Sequence, residues 1–265
     1  MEILGYIGAL FIGITLGLIG GGGSILTVPI LVYLLNIEPV PATAYSLFIV
    51  GLTALIGSFT FMKKKEISYI TAVVFSIPAF IAVFLTRKFL VPAIPDVIFT
   101  LGTFAFTKNL FVMILFALLM VVASVSMIKN KKTVADAGEI QFNYPMILLE
   151  GFGVGILTGL VGAGGGFLII PALVLLAKLP MKTAVGTSLL IIAVKSLIGF
   201  IGDVGTNLTV DWQFIALFSS LAVVGIIGGS YLSKFISNEK LKPAFGWFVM
   251  AMGVYIIIKE FYTRF

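Results

Sequence analysis

Two charged side chains stand inside apolar stretches of this sequence, and they are the first candidates for chemistry. Lys195 lies in "TSLLIIAVKSLIGF"; on a helix, the twelve residues from Thr183 place it roughly 18 Å along the axis. A cation at such depth is costly in hydrocarbon and marks a functional site, unless it snorkels or is paired for structural reasons. Both readings stay open. Glu150 follows Pro145 by five residues and is a candidate for carrying a coupled proton, although an acidic group in the first turns of a helix also complements the dipole, which is the favoured reading. The chain has no Cys and no His, which excludes thiolate chemistry, disulfides, zinc with its usual ligands and an imidazole acid or base. No cofactor, no metal and no enzyme activity are expected.

Glycine supplies the second kind of candidate. "LIGGGGSILTVP", residues 18–29, and "LVGAGGGFLIIP", residues 160–171, repeat one pattern in surroundings as apolar as a membrane span. Such runs break a helix, and backbone broken at membrane depth survives only where protein or a wet cavity satisfies its amides. A second half-helix starting near Ser24 or Gly166 would present N–H groups and a positive dipole end to an anion without any charged residue. The candidate binding residues are therefore Gly20, Gly21, Gly22, Gly23 and Ser24 in one run, and Gly162, Ala163, Gly164, Gly165 and Gly166 in the other. Close helix packing is the competing explanation, and it suits the isolated Gly13, Gly51, Gly57, Gly225 and Gly228 better, because packing asks for small residues at intervals of four. A phosphate-binding loop would need Lys before Ser; Ser24 follows Gly23 directly. A serine nucleophile would lack its histidine base. Soon after the breaks come Thr43 and Ser46 in the first copy and Thr183, Thr187, Ser188 and Ser196 in the second. Such hydroxyls often bond their own preceding turn, but Ser46 and Ser188 are a matched pair.

These residues need elements to hold them. With 60% hydrophobic and 11% charged residues and a mean hydropathy of +1.20, the chain cannot clothe a soluble globule and reads as an all-α, polytopic membrane protein. "MEILGYIGAL" has no basic start and reads as a retained segment. The net charge of +6 comes from short loops and forms no basic patch, so no nucleic acid is expected. Apolar runs long enough to span occur near 42–62, 67–86, 110–128, 183–202, 212–235 and 241–258, whereas 3–35 and 145–177 are too long for one span and hold the glycines. Residues 90–104 read as a loop or short interfacial helix; Asp203 and Asp211 read as outer-loop charges.

At a constant offset of 142, residues 13–57 and 155–199 share 19 identities in 45 positions, an internal duplication. The predicted units are a first transmembrane repeat, 1–128, a cytoplasmic connector, 129–144, and a second repeat, 145–265. If each glycine run enters and returns as a hairpin, followed by three crossings, the halves are inverted. Eleven Lys then lie inside (63, 64, 65, 129, 131, 132, 178, 182, 234, 240, 242) and five Lys or Arg outside (87, 88, 108, 259, 264), which satisfies the positive-inside rule. Single crossing of the glycine runs gives eight on each side. The expected architecture is two inverted-topology repeats, each a Gly-broken helical hairpin plus three transmembrane helices, with both termini outside.

The twin motifs "GLIGGGGSILTVP" and "GLVGAGGGFLIIP", followed by "PATAYSL" and "TAVGTSL", resemble the TauE/SafE family of sulfite exporter-like permeases over nearly the whole chain. The resemblance implies a secondary carrier of small anions, especially sulfite, sulfonates and other organosulfur compounds, in the cytoplasmic membrane. It carries over to Gly20 through Ser24, Gly162 through Gly166, Ser46, Thr187 and Ser188, with Ala163 as a departure. The expected partners are a small anionic substrate, H⁺ or Na⁺ as coupling ion and the lipid bilayer. An anion or small-solute channel framed by two re-entrant elements is the alternative.

Overall fold

The computed structural model describes residues 2–101, 104–129, 144–175, 179–204, 210–233, 235 and 238–262. The segment 130–143, most of the expected connector, lies outside them, as do Lys131, Lys132, Lys178, Lys234 and Arg264 of the charge argument.

The first apolar run folds as α1 (Glu2–Ile19), then a 3-10 helix over Gly20–Leu26, one α turn, α2 (Thr27–Pro29), and a π-helical turn over Ile30–Leu34. The chain doubles back on itself: the Cα of Gly5 faces Leu35, Gly8 faces Ile30 and Gly23 faces Thr15 and Leu16. This antiparallel hairpin has the glycines at its tip. The second run gives α7 (Tyr144–Val161) and α8 (Gly166–Leu175) on either side of Gly162–Gly165. Matching backbone bonds close the two arms, from Ile37 N–H to Leu31 O and from Leu179 N–H to Leu173 O, each 3.0 Å.

Long helices follow each hairpin. They are α3 (Pro39–Lys63), α4 (Tyr69–Leu85), continued by a π turn over Thr86–Leu90 and α5 (Val91–Ala93), then α6 (Lys108–Lys129). In the second half they are α9 (Met181–Asp203), α10 (Trp212–Leu232) and α11 (Asn238–Tyr262). Among the described residues, five helical spans are long and apolar enough to cross a membrane.

The expectation of a loop or short helix over 90–104 holds only in part. Val91–Ala93 is helix, but β1 (Val97–Leu101) and β2 (Phe104–Thr107) form an antiparallel pair. "VIFTL" and "FAFT" are β-branched and aromatic, which favours a pleated pair, and Phe99 stacks on Phe106 at 4.9 Å between centroids. The all-α reading holds for the body of the molecule and not for this appendage.

The halves interlock. Helix α1 lies along α10, with Gly13 against Ala222 and Gly225, and Gly17 against Gly229 and Ser230; α7 lies along α4, with Gly151 against Phe75, Gly155 against Ala79 and Gly159 against Thr86. Both pairs run parallel. Glycine lets these backbones approach closely, as in membrane helix pairs. Helices α3 and α9 run antiparallel, with Leu47 facing Gly199, Gly51 facing Leu197 and Phe61 facing Gly186. Helices α6 and α11 pair with each other. Gly228 faces open space, so close packing does not explain it.

Outward faces carry Ile70, Leu149, Val122, Val224 and Ile258, each at least 60% exposed, while Arg87 and Lys195 lie buried inside with many Ser and Thr. That apolar coat suits hydrocarbon and not water. Tyr69, Trp212 and Tyr231 sit exposed at helix ends, where amphipathic rings favour the headgroup boundary.

Candidate functional site

The two hairpin tips meet. A Cβ on Gly21 would strike the Cα of Gly166, and one on Gly166 would strike the Cα, carbonyl carbon and oxygen of Gly21. No residue larger than glycine fits either position without separating the tips. Beside this crossing Ser24 faces Gly164, and Lys195 Nζ lies over Gly165.

Each tip rests on the long helix of the opposite half. Gly20 faces Val185 and Gly21 faces Ile192 of α9, whereas Gly162 faces Thr43 and Gly164 faces Val50 of α3. Spacings of three and four residues place one helix face under each tip: Thr43, Ser46, Val50 and Thr53 on α3, and Val185, Ser188, Ile192 and Lys195 on α9. Ser46 and Ser188 thus share the faces that touch the glycines. Ser46 Oγ is buried with no hydrogen-bond partner, while Ser188 Oγ donates to its own Val185 O at 2.8 Å.

Lys195 is 1% exposed. Its Nζ donates to Thr158 Oγ1 at 2.8 Å, and Thr158 Oγ1 in turn donates to Val154 O at 2.7 Å. Thr158 was not among the sequence candidates. Its hydroxyl looks like any helical threonine until the fold sets it beside a lysine 37 residues away.

The breaks are unlike in detail. In the second, Gly162, Gly164 and Gly165 have φ of +68°, +64° and +71°, a left-handed conformation that Cβ disfavours. Between Gly162 and Gly165, Ala163 occupies the one place without it. Helix α8 then starts at Gly166, as expected. In the first, only the helix end at Gly20 is left-handed, φ +74°, and the chain winds on as a 3-10 helix through Ser24. The expected helix start at Ser24 is therefore absent. Glycines without side chains can take the tight 3-10 path, whose eclipsed i, i+3 positions cost them nothing, and Ser24 Oγ donates to Gly21 O at 2.7 Å, inside that helix. The burial of Gly22 lies outside the described residues; Gly23 packs against Thr15 and Leu16.

Thr187 stands away from the tips, accepting at Oγ1 from Ser68 N–H, 2.9 Å, just ahead of α4. Its repeat equivalent Tyr45 accepts at its hydroxyl from Asp211 N–H, 3.0 Å, just ahead of α10. Each side chain satisfies an amide at a helix start in the opposite half. Glu150 is half-buried near the start of α7; twelve residues, roughly 18 Å of helix, separate it from Gly162.

One expectation about outer charges is corrected: Asp203 is not an ordinary loop charge. Asp203 is 6% exposed and Arg87 is 0% exposed, with Arg87 Nε 3.5 Å from Asp203 Oδ2. Both end helices that the interlocking halves press together, so their turns are covered. Asp211 does stay at the surface, where its Oδ1 caps α10 by accepting from Phe214 N–H at 2.9 Å.

The description "Sulfite exporter TauE/SafE" matches residues 6–259. The chain belongs to the TauE/SafE family. A probable membrane transporter protein of Xylella fastidiosa (strain 9a5c) is 30% identical over 253 residues, covering 93% of this chain and 91% of that one. The probable membrane transporter protein YunE of Bacillus subtilis (strain 168) is 29% identical over 257 residues, 91% and 89% of the two chains. The probable membrane transporter protein MJ0441 of Methanocaldococcus jannaschii is 32% identical over 118 residues, 42% of this chain and 44% of its own. No solved structure matches. This TauE/SafE chain is a multi-pass membrane transporter.

Proposed function

We propose that the protein is a secondary transporter that moves sulfite, a sulfonate or another organosulfur anion across the cytoplasmic membrane by alternating access. The observation that carries the reading is the meeting of Gly21 and Gly166 with Lys195 Nζ beside Gly165. Bare backbone, the N-terminus of α8 and a buried amine then converge where an anion can approach closely. The sulfur chemistry follows the family's description.

The mechanism needs two inverted repeats. In support, the equivalent helices α3 and α9 run antiparallel, and each hairpin rests on the other half. That exchange is the geometry expected of halves related by an axis in the membrane plane. In this arrangement the first hairpin and both termini belong to the outer side and the second hairpin to the cytoplasm. Rocking one half against the other would open the tips to each side in turn. Coupling to H⁺ or Na⁺ completes the proposal; Glu150 would act from the cytoplasmic end of α7 and not at the tips.

The test is the melting temperature of the purified protein against sulfite, sulfate, thiosulfate, sulfonates and small carboxylates at matched ionic strength, since a ligand of the native state raises it by mass action. A selective rise with a sulfur oxyanion, joined to saturable trans-stimulated exchange in liposomes, is the expected result. Voltage-driven current without counter-substrate would replace the carrier with a channel.

A further inference from the structure

Arg87 has no role in the site just described, yet it is the largest fully buried side chain among the described residues. It lies on the π turn that ends α4, with its Cβ 3.0 Å from where a Cβ on Gly202 would stand. Its guanidinium meets Asp203 at 3.5 Å through Nε, and Nε, Nη1 and Nη2 all lack a hydrogen-bond partner. A buried guanidinium with five donors unmet is expensive, and a single long ion pair does not offset that cost.

The repeat fold does not demand it. Gly159 faces Thr86 as Gly17 faces Gly229 and Ser230, and at the offset of 142 the equivalent of Arg87 is Gly229. At the offset of 142, the equivalent of Asp203 is Phe61. Neither of those equivalent positions carries a charge. The pair also lies on the way to the tips: Asp203 is eight residues beyond Lys195 on α9, about 12 Å, and Arg87 adjoins the turn of α7 that precedes Gly162. It joins α4 of the first half to α9 of the second.

We propose that Arg87 and Asp203 form a substrate-sensitive latch on the outer end, in which a small sulfur oxyanion takes the unmet guanidinium donors, displaces Asp203 and frees α4 from α9. A planar fork of donors matches two oxygens of such an anion. The inference rests on the anion-transport reading and adds an outer recognition residue to it.

The chain has no cysteine, so one can be introduced as a reporter. Ser196→Cys suits this, because Ser196 is buried and its hydroxyl has no partner. In right-side-out vesicles, an outside, membrane-impermeant maleimide labels this reporter chain slowly, and Asp203→Asn in the same background raises the rate at least roughly tenfold, as expected when a buried charge loses its ionic partner. Sulfite, sulfate and methanesulfonate are then tested for thermal shift in detergent. The neutral pair R87Q/D203N loses the shift seen in the parent; Arg87→Lys, which keeps the charge without the fork, serves where the double variant is not monodisperse and weakens binding at least about fivefold. Labelling unaltered by Asp203→Asn, or a parental shift retained in R87Q/D203N or R87K, overturns the latch. A parent that responds to no sulfur oxyanion overturns the transport reading and the ligand together, while the labelling still decides whether the pair holds the outer end closed.

Discussion

Lys195 and Thr158 are where single side chains decide most. Thr158 accepts from Lys195 Nζ and donates its own hydroxyl hydrogen bond to Val154 O, so the lysine is held over Gly165 by a threonine of the same hairpin. If Lys195 serves the anion, Lys195→Met removes the sulfite-dependent rise in melting temperature without lowering the melting temperature itself, because an apolar residue of similar length replaces a buried amine at no net cost. A melting temperature several degrees lower would make the lysine structural. Thr158→Val strands that amine in the protein and costs about 2 kcal/mol; in the Lys195→Met background the same change costs much less, which a double-mutant cycle in denaturant or heat measures directly.

Hairpins and helix starts set the behaviour of the elements. The tips tolerate no Cβ at Gly21 or Gly166, so Gly21→Ala pushes the two hairpins apart, and liposome flux falls at least about tenfold while the protein still inserts and elutes as a single species. Unimpaired flux would separate the tips from the mechanism. The capping residues behave differently. Thr187→Val leaves Ser68 N–H without its acceptor, a loss of about 1 kcal/mol that a melting curve registers, with flux per folded molecule unchanged. Tyr45→Phe costs less, because Asp211 is exposed and water replaces the lost acceptor.

At the scale of the molecule, neither half encloses its own hairpin: α1 depends on α10 and α7 on α4. Each hairpin is therefore held in place by the other half. In the proposed topology Lys64 and Lys88, both exposed, end up on opposite sides. Lys88→Cys is labelled from outside by an impermeant maleimide, and Lys64→Cys only after permeabilisation. Labelling of both from one side would rule out the inverted arrangement.

Composition, span length and the twin glycine motifs were enough to establish a duplicated membrane protein of the TauE/SafE type, because hydrophobic runs and backbone breaks are properties of local sequence. The doubling back of each glycine run was legible from two signals together: thirty-odd apolar residues exceed one ordinary crossing, and only a hairpin gives the Lys and Arg residues a sidedness. The alternating "VIFTL" and "FAFT" were readable as strands but lay between prolines and spans, where a loop was the simpler reading. What only the tertiary structure decided is which residues meet. Gly21 and Gly166 touch, Lys195 finds Thr158, Thr187 turns to Ser68 and Arg87 is buried against Asp203. Each of those contacts joins segments far apart in the chain, and their partners follow from how two interlocked halves pack, which no local window of sequence contains.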